Sequence, residues 1–301
     1  MHKRLNKRGK IAVIILLAMS FFFVYMAIGG GKKSVPVENS ISAQTTPLEE
    51  LPYNKLVAGS GDAIKDQSTI ENEWEEKEEA RKKDFAKQNE ADQQEKAIYL
   101  TFDDGPTDVS NQLLDTLNDY QMKATFFMLG PKMEENPEVV KRMEDENFGL
   151  ALHGITHEVS QIYSGPSAPV EEMLETQEIL KEITGVTSDI IRLPYGSVPY
   201  LTVKMRYLLD QEGFNIWDWN VDSQDWELEE GQYVQQTIQE IDQMEKAGET
   251  PVILLHDKEE TIDHLPELLE YIKGEGYQTN VLTNDMSPIT FPCEGRCYSI
   301  K

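Results

Sequence analysis

Between residues 97 and 282, short β-type runs alternate with amphipathic helical stretches, and this alternation leaves few architectures open. Strands are expected at 97–102, 124–129, 148–152, 189–192, 214–221, 251–256 and 278–282, and helices at about 108–120, 137–147, 169–183, 200–211, 233–247 and 264–273. Helices end at Gly185, Gly213 and Gly248, and one starts at Asn136-Pro137. That is the usual asymmetry of Pro in the first turn and Gly past the last. Strands alternating with helices imply a parallel sheet, closed or doubly wound, because parallel neighbours need long crossovers. The sequence contains no internal repeat.

The titratable residues that interrupt these runs fall at strand C-terminal ends, the face on which a βα barrel builds its sites. Asp103 and Asp104 follow Ala97-Ile98-Tyr99-Leu100 and precede Gly105-Pro106. Adjacent carboxylates repel unless a cation sits beside them. The pair points to a metal, to acid–base chemistry or to both, with a solvated Asp-Gly turn as the plain alternative. His153 and His157 follow Leu150-Ala151-Leu152. Two His four apart on a helical turn face one way and can share a metal. With Asp104 they make a two-His, one-carboxylate set with open positions, suited to a divalent metal that also takes water and substrate.

Arg192 opens Arg-Leu-Pro-Tyr-Gly, a permanent cation ahead of a turn that presents backbone N–H groups; an ion pair at the rim would explain it equally well. Trp217 and Trp219 alternate with Asp218 and are expected to pack in the core, whereas Trp226, beyond the strand and next to Asp225, is expected to face a ligand. His256 ends the buried run Val252-Ile253-Leu254-Leu255, where a satisfied core histidine is the alternative. His264 receives no role.

In order, Asp-Asp-Gly-Pro at 103, His-x-x-x-His at 153, Arg-x-Pro-Tyr at 192, Asp-x-x-Asp-Trp at 222 and Leu-x-His at 254 resemble the motif signature of the polysaccharide deacetylases, carbohydrate esterase family 4. The resemblance covers about residues 97–284. It implies an α/β fold, a distorted (β/α) barrel with about seven parallel strands, together with one divalent metal. It also implies removal of acetyl groups from N-acetylated and sometimes O-acetylated sugars. By resemblance, Asp103 is the general base, Asp104 is a metal ligand with His153 and His157, and Arg192 holds Asp103. Tyr195 would offer its backbone N–H to the oxyanion. Asp225 would pair with His256, the general acid, and Trp226 with Leu254 would line the acetyl-methyl pocket. Zinc is the default metal, with cobalt, manganese or nickel as alternatives. The family usually has Ser or Thr where this chain has Gly154, which implies a looser metal loop.

Upstream, Ile11 to Ile28 is an almost unbroken apolar run behind a basic cluster. Residues 11–30 are therefore expected to form a transmembrane anchor, about 20 residues being enough to cross a hydrocarbon core. The basic tail at 1–10 would stay in the cytoplasm, which places the body outside a cell membrane as a single-pass protein. A cleavable signal peptide, and a secreted protein, is the alternative. Residues 31–70 read as a flexible polar linker. Residues 71–96, rich in Glu, Lys, Ala and Gln, read as a solvated helical stalk. The catalytic domain is expected at 97–284 and a tail at 285–301, whose Cys293 and Cys297 leave both a local disulfide and two free thiols open.

The chain has 28 Lys+Arg against 54 Asp+Glu, for a net charge of −26. So acidic a body argues against nucleic acid, since neutralising phosphates needs a basic face. An outward-facing domain near a membrane suggests peptidoglycan as the acetylated glycan. Chitin-type oligosaccharide, poly-N-acetylglucosamine and acetyl-xylan stay open. So do an inactive carbohydrate-binding wall protein and a metal-dependent amidase of small molecules.

Overall fold

The computed structural model describes residues 66–229 and 231–300. The anchor expected at 11–30 lies outside the described residues, and among those described no helix is long and apolar enough to cross a membrane. The strands are β1 (Ala97–Gly105), β2 (Ala124–Leu129), β3 (Gly149–Gly154), β4 (Ile190–Ile191), β5 (Asn215–Ile216), β6 (Val221–Asp222), β7 (Val252–His256) and β8 (Gln278–Thr279). Their pairings are all parallel and run in the order β5-β4-β3-β2-β1-β7-β6, with β8 against the N-terminal end of β1.

That order is chain order rotated, which is the order of strands around a barrel. Among β1 to β7, the consecutive pair not bonded is β5 and β6. They are the two ends of the single run expected at 214–221: its start pairs with β4 and its end with β7. The barrel is therefore open along one seam, and distorted there. β1 and β2 are buried on both faces, as strands flanked by helices are.

The covering helices are α1 (Gln67–Glu95), α2 (Ser110–Asp119), α3 (Gly130–Glu135), α4 (Pro137–Asp145), α5 (Val159–Ile162), α6 (Ala168–Thr184), α7 (Val203–Gln211), α8 (Gln232–Ala247) and α9 (Glu259–Gly274). Gly185 and Gly248 close α6 and α8 in the left-handed conformation. α9 starts earlier than expected and runs through Pro266. An interior Pro costs about 3 kcal/mol or more, and the buried face of Ile262, Leu265, Leu268, Leu269 and Ile272 offsets it.

α1 is not the free, solvated stalk that its composition suggests. Ile70 and Trp74 are buried in the main core. Lys77 and Arg81 pair with Asp210 of α7. The Asn89 side chain donates to Gly248 O (2.8 Å) and accepts from Thr250 N–H (2.7 Å). Most of this docking is polar, so no apolar stripe announces it. At the other end of the chain Cys293 and Cys297 are joined by a disulfide. The tail bonds to the seam, with Asp218 N–H donating to Ile289 O (2.7 Å).

Candidate active site

In a regular strand neighbouring side chains point to opposite faces, yet Asp103 and Asp104 line the same cavity. The cause is a register shift between Asp103 and Gly105, with Asp104 at φ +70°. Such a bulge inserts one residue and re-aims its side chain. The backbone there is crowded: a Cβ on Gly105 would lie 2.4 Å from Asp257 Oδ2.

His153 is the penultimate residue of β3, and its Nδ1 lies 2.8 Å from Arg192 O. A carbonyl can only accept, so Nδ1 carries the proton and Nε2 presents its lone pair. That Nε2 is 3.4 Å from Asp104 Oδ1, and His157 Nε2 is 3.2 Å from the same oxygen. The two His do not share a helical turn, as their spacing suggested. They sit on a strand end and the loop after it, and left-handed Gly154 (φ +94°) and His157 (φ +52°) fold the chain back until the rings are 5.3 Å apart.

Three ligand atoms, one each from Asp104, His153 and His157, lie within 4.8 Å of one another. Asp104 Oδ1 is buried without a hydrogen-bond partner, which is costly for a carboxylate oxygen. Burial works against its charge, but with no cation bound and the imidazoles protonated, a hydrogen bond from His153 and the positive charges of His153 and His157 outweigh burial and hold this carboxyl well below the usual carboxylate range. An orphaned anionic oxygen facing two imidazole lone pairs is the donor set of a divalent cation, and these residues could hold one.

Asp103 is buried, with Oδ1 2.8 Å from Arg192 Nη1. Arg192 is not at the rim: it is completely buried across the barrel. Its guanidinium also donates to Thr101 Oγ1 (2.7 Å), Trp217 O (3.2 Å) and Asp218 O (3.0 Å). The last two carbonyls belong to the seam between β5 and β6, so one side chain holds Asp103 and replaces the missing ladder.

Asp103 and His256 are register partners on β1 and β7. His256 Nδ1 is 2.7 Å from Asp225 Oδ1, and Asp225 Oδ2 accepts from His256 N–H (2.8 Å) and Thr261 Oγ1 (2.5 Å). Burial would lower the His256 pKa, but its hydrogen bond to Asp225 and the charge of that carboxylate raise it above the ordinary value. The same pairing overcomes burial of Asp225 and lowers its carboxyl.

Gly196 N–H returns to Leu193 O (2.9 Å) and closes a turn with Pro194 at its second position and Tyr195 (φ +67°) at its third. The Tyr195 ring packs on His157, with centroids 4.8 Å apart, and its hydroxyl donates to His157 O (3.1 Å). Asp104, His157 and Tyr195 are thus all non-glycine residues in left-handed conformations, strain of the kind that concentrates at functional sites. Exposed Trp226 and buried Leu254 face the same cavity of about 850 Å³, a size typical of ligand sites. All ten residues singled out in the sequence therefore lie in or directly behind one opening.

Other contributors carried no readable signal. Trp217 is core, but Trp219 lines the cavity. Asp218 looked like a spacer between tryptophans. It is fully buried and accepts from Ser197 N–H (2.9 Å), the Ser197 hydroxyl and Phe291 N–H (2.6 Å). With Tyr163, whose hydroxyl donates to Pro194 O (2.7 Å), it anchors the Tyr195 turn. Asp257 binds the Thr107 and Ser110 hydroxyls and so ties β7 to the loop after β1.

A family model described as polysaccharide deacetylase matches residues 90–217. YheN of Bacillus subtilis, whose name places it in the same family, is 44% identical over 205 residues, 67% of this chain and 72% of its own. A peptidoglycan-N-acetylglucosamine deacetylase of Bacillus cereus is 36% identical over 187 residues, 61% of this chain and 68% of that one. The crystal structure of the polysaccharide deacetylase Bc1974 from Bacillus cereus is similar, with a TM-score of 0.59 at 32% identity, over 65% of this chain and 96% of that chain.

Proposed function

The chain belongs to the polysaccharide deacetylase family, hydrolases that act on amide bonds, and from that premise we propose that it removes acetyl groups from the N-acetylated sugars of peptidoglycan. The observation that carries this reading is the placement of Asp103 and His256 as partners on adjacent strands beside Asp104, His153 and His157. A base and an acid thus face one cavity next to a cation site.

A divalent cation held by Asp104, His153 and His157, with zinc the first choice, would polarise the acetyl carbonyl and acidify water. The rest is done by the protein's own groups. Asp103, paired with Arg192 at 2.8 Å, takes a proton as water attacks the carbonyl carbon. The Tyr195 N–H steadies the oxygen that becomes negative. His256, its Nδ1 occupied by Asp225, gives a proton from Nε2 to the sugar nitrogen as the C–N bond breaks. Acetate and a free amine leave. Trp226 and Leu254 bound the space for the methyl group.

Peptidoglycan is favoured by the similarity to a protein named peptidoglycan-N-acetylglucosamine deacetylase. It is also favoured by the apolar run at 11–28, which we read as a membrane anchor that leaves the domain outside the cell. The Cys293–Cys297 disulfide fits that oxidising side. The test is release of acetate and free amine from peptidoglycan by the full chain, before and after chelation and after zinc is restored. Chitin-type oligosaccharide, poly-N-acetylglucosamine and acetyl-xylan serve as parallel substrates. Activity on one of these but not on peptidoglycan corrects the substrate; acetate from none, with metal bound, leaves a carbohydrate-binding wall protein.

A further inference from the structure

The loop that carries His157 is held by a side chain outside every motif. After β3 ends at Gly154, residues 155–158 belong to no strand or helix. Ile155 N–H and Thr156 N–H both donate to Glu172 Oε2 on α6, at 2.9 and 3.0 Å. The Thr156 hydroxyl donates to the other oxygen, Oε1, at 2.7 Å. Three donors from two consecutive residues therefore close on one carboxylate. Two successive N–H groups can converge in this way where the chain is sharply bent, and the left-handed residues Gly154 and His157 flank the bend. The glycine also makes room: a Cβ at position 154 would lie 3.0 Å from the same Oε2.

The family comparison of Ser or Thr with Gly154 implied an unbraced loop. The brace is present, and it comes from α6. Without it, two amide groups would turn to water and the loop would be ordered only when a ligand ordered it. That conformational cost would then fall on metal binding.

We infer that Glu172 is a positioning residue for the metal centre: it sets the approach of His157 to His153 and Asp104, and so tunes the affinity for a divalent cation. This rests on the reading of Asp104, His153 and His157 as that cation's ligands. Glu172 itself is not one of the three ligand side chains.

The test measures the zinc dissociation constant of the full chain by competition with a chromophoric chelator, beside the melting temperature of the metal-free protein. Glu172→Ala is expected to weaken zinc by about 10- to 100-fold, the usual cost of losing an outer partner of a metal site. The metal-free melting temperature should move by no more than a few degrees. Glu172→Gln keeps an oxygen that accepts both N–H groups and should stay within about threefold of the parent. Thr156→Val removes one of the three bonds and should weaken zinc less than Glu172→Ala. If Glu172→Ala binds zinc as tightly as the parent, the proposal is overturned; should that chain not fold, unchanged affinity in Thr156→Val overturns it. A parent chain that binds no divalent cation would instead overturn the metal-centre reading, and this proposal with it.

Discussion

Arg192 and Asp103 form an ion pair at 2.8 Å in which Arg192 is completely buried and Asp103 is reached only from the cavity. A buried pair survives only when every other donor and acceptor is satisfied, because desolvating both charges costs several kcal/mol per ion. Arg192 meets that condition by bonding Thr101 and the seam carbonyls of Trp217 and Asp218, with its guanidinium over Phe127 at 4.0 Å.

Arg192→Lys keeps the charge but loses the planar fork of donors. It should leave seam carbonyls unpaired, at about 1–3 kcal/mol for each buried group abandoned. Urea unfolding should show a loss of that order, and deacetylation should fall even with zinc fully bound. Parental stability would mean that Arg192 does not hold the seam.

Asp103→Asn is nearly isosteric and leaves the three ligand side chains untouched. Zinc stoichiometry should be retained while kcat falls about 10²- to 10⁴-fold, the usual worth of a general base. A full rate in this variant would remove Asp103 from the mechanism.

The His256 pKa is raised, its favourable pairing with Asp225 outweighing burial. A proton donor works only while protonated, so the rate should hold through neutral pH and fall as pH rises through a value above the ordinary 6.5 or so. Stability follows the same sign: the contribution is complete below about pH 6.5 and is lost as pH rises through the folded-state pKa. Asp225→Asn removes the carboxylate charge while leaving an oxygen that can accept from Nδ1, so the alkaline limb of kcat should move to lower pH. An unmoved limb would assign that titration to another group.

Gly154→Ser would restore the residue type usual in the family. At φ +94°, with its Cβ 3.0 Å from Glu172 Oε2, serine should instead cost about 1–3 kcal/mol in strain. It should also not tighten zinc. Chemical denaturation and zinc competition on the same preparation would measure both, and a tighter, equally stable Gly154→Ser chain would contradict the observed loop.

Much of the frame was legible because it follows from short-range rules. Alternating apolar periods announced each strand, including the run at 214–221. What they could not announce was that this run would split between two neighbours, since that depends on where β4 and β7 lie. The helix at 67–95 misled for a related reason. Its charged composition is that of a solvated helix, and its docking relies on two apolar anchors and scattered polar bonds to partners as distant as Gly248 and Thr250.

The candidate site divides along the same line. Residue types at strand ends, in their order along the chain, singled out Asp103, Asp104, His153, His157, Arg192, Trp226 and His256, because the chemistry needs such groups and a sequence displays them, and the family resemblance added Tyr195, Asp225 and Leu254. The residues that hold them, Thr101, Glu172, Asp218 and Asp257, are ordinary polar residues until the fold brings a partner within hydrogen-bond reach. Burial then turns each into an obligation, since a polar group cut off from water must find its partner in the protein. The sequence alone thus determined which groups could do the chemistry. Tertiary structure decided how Asp103 and Asp104 share one cavity, what closes the seam and what steadies the loop, because each depends on contacts between segments far apart in the chain.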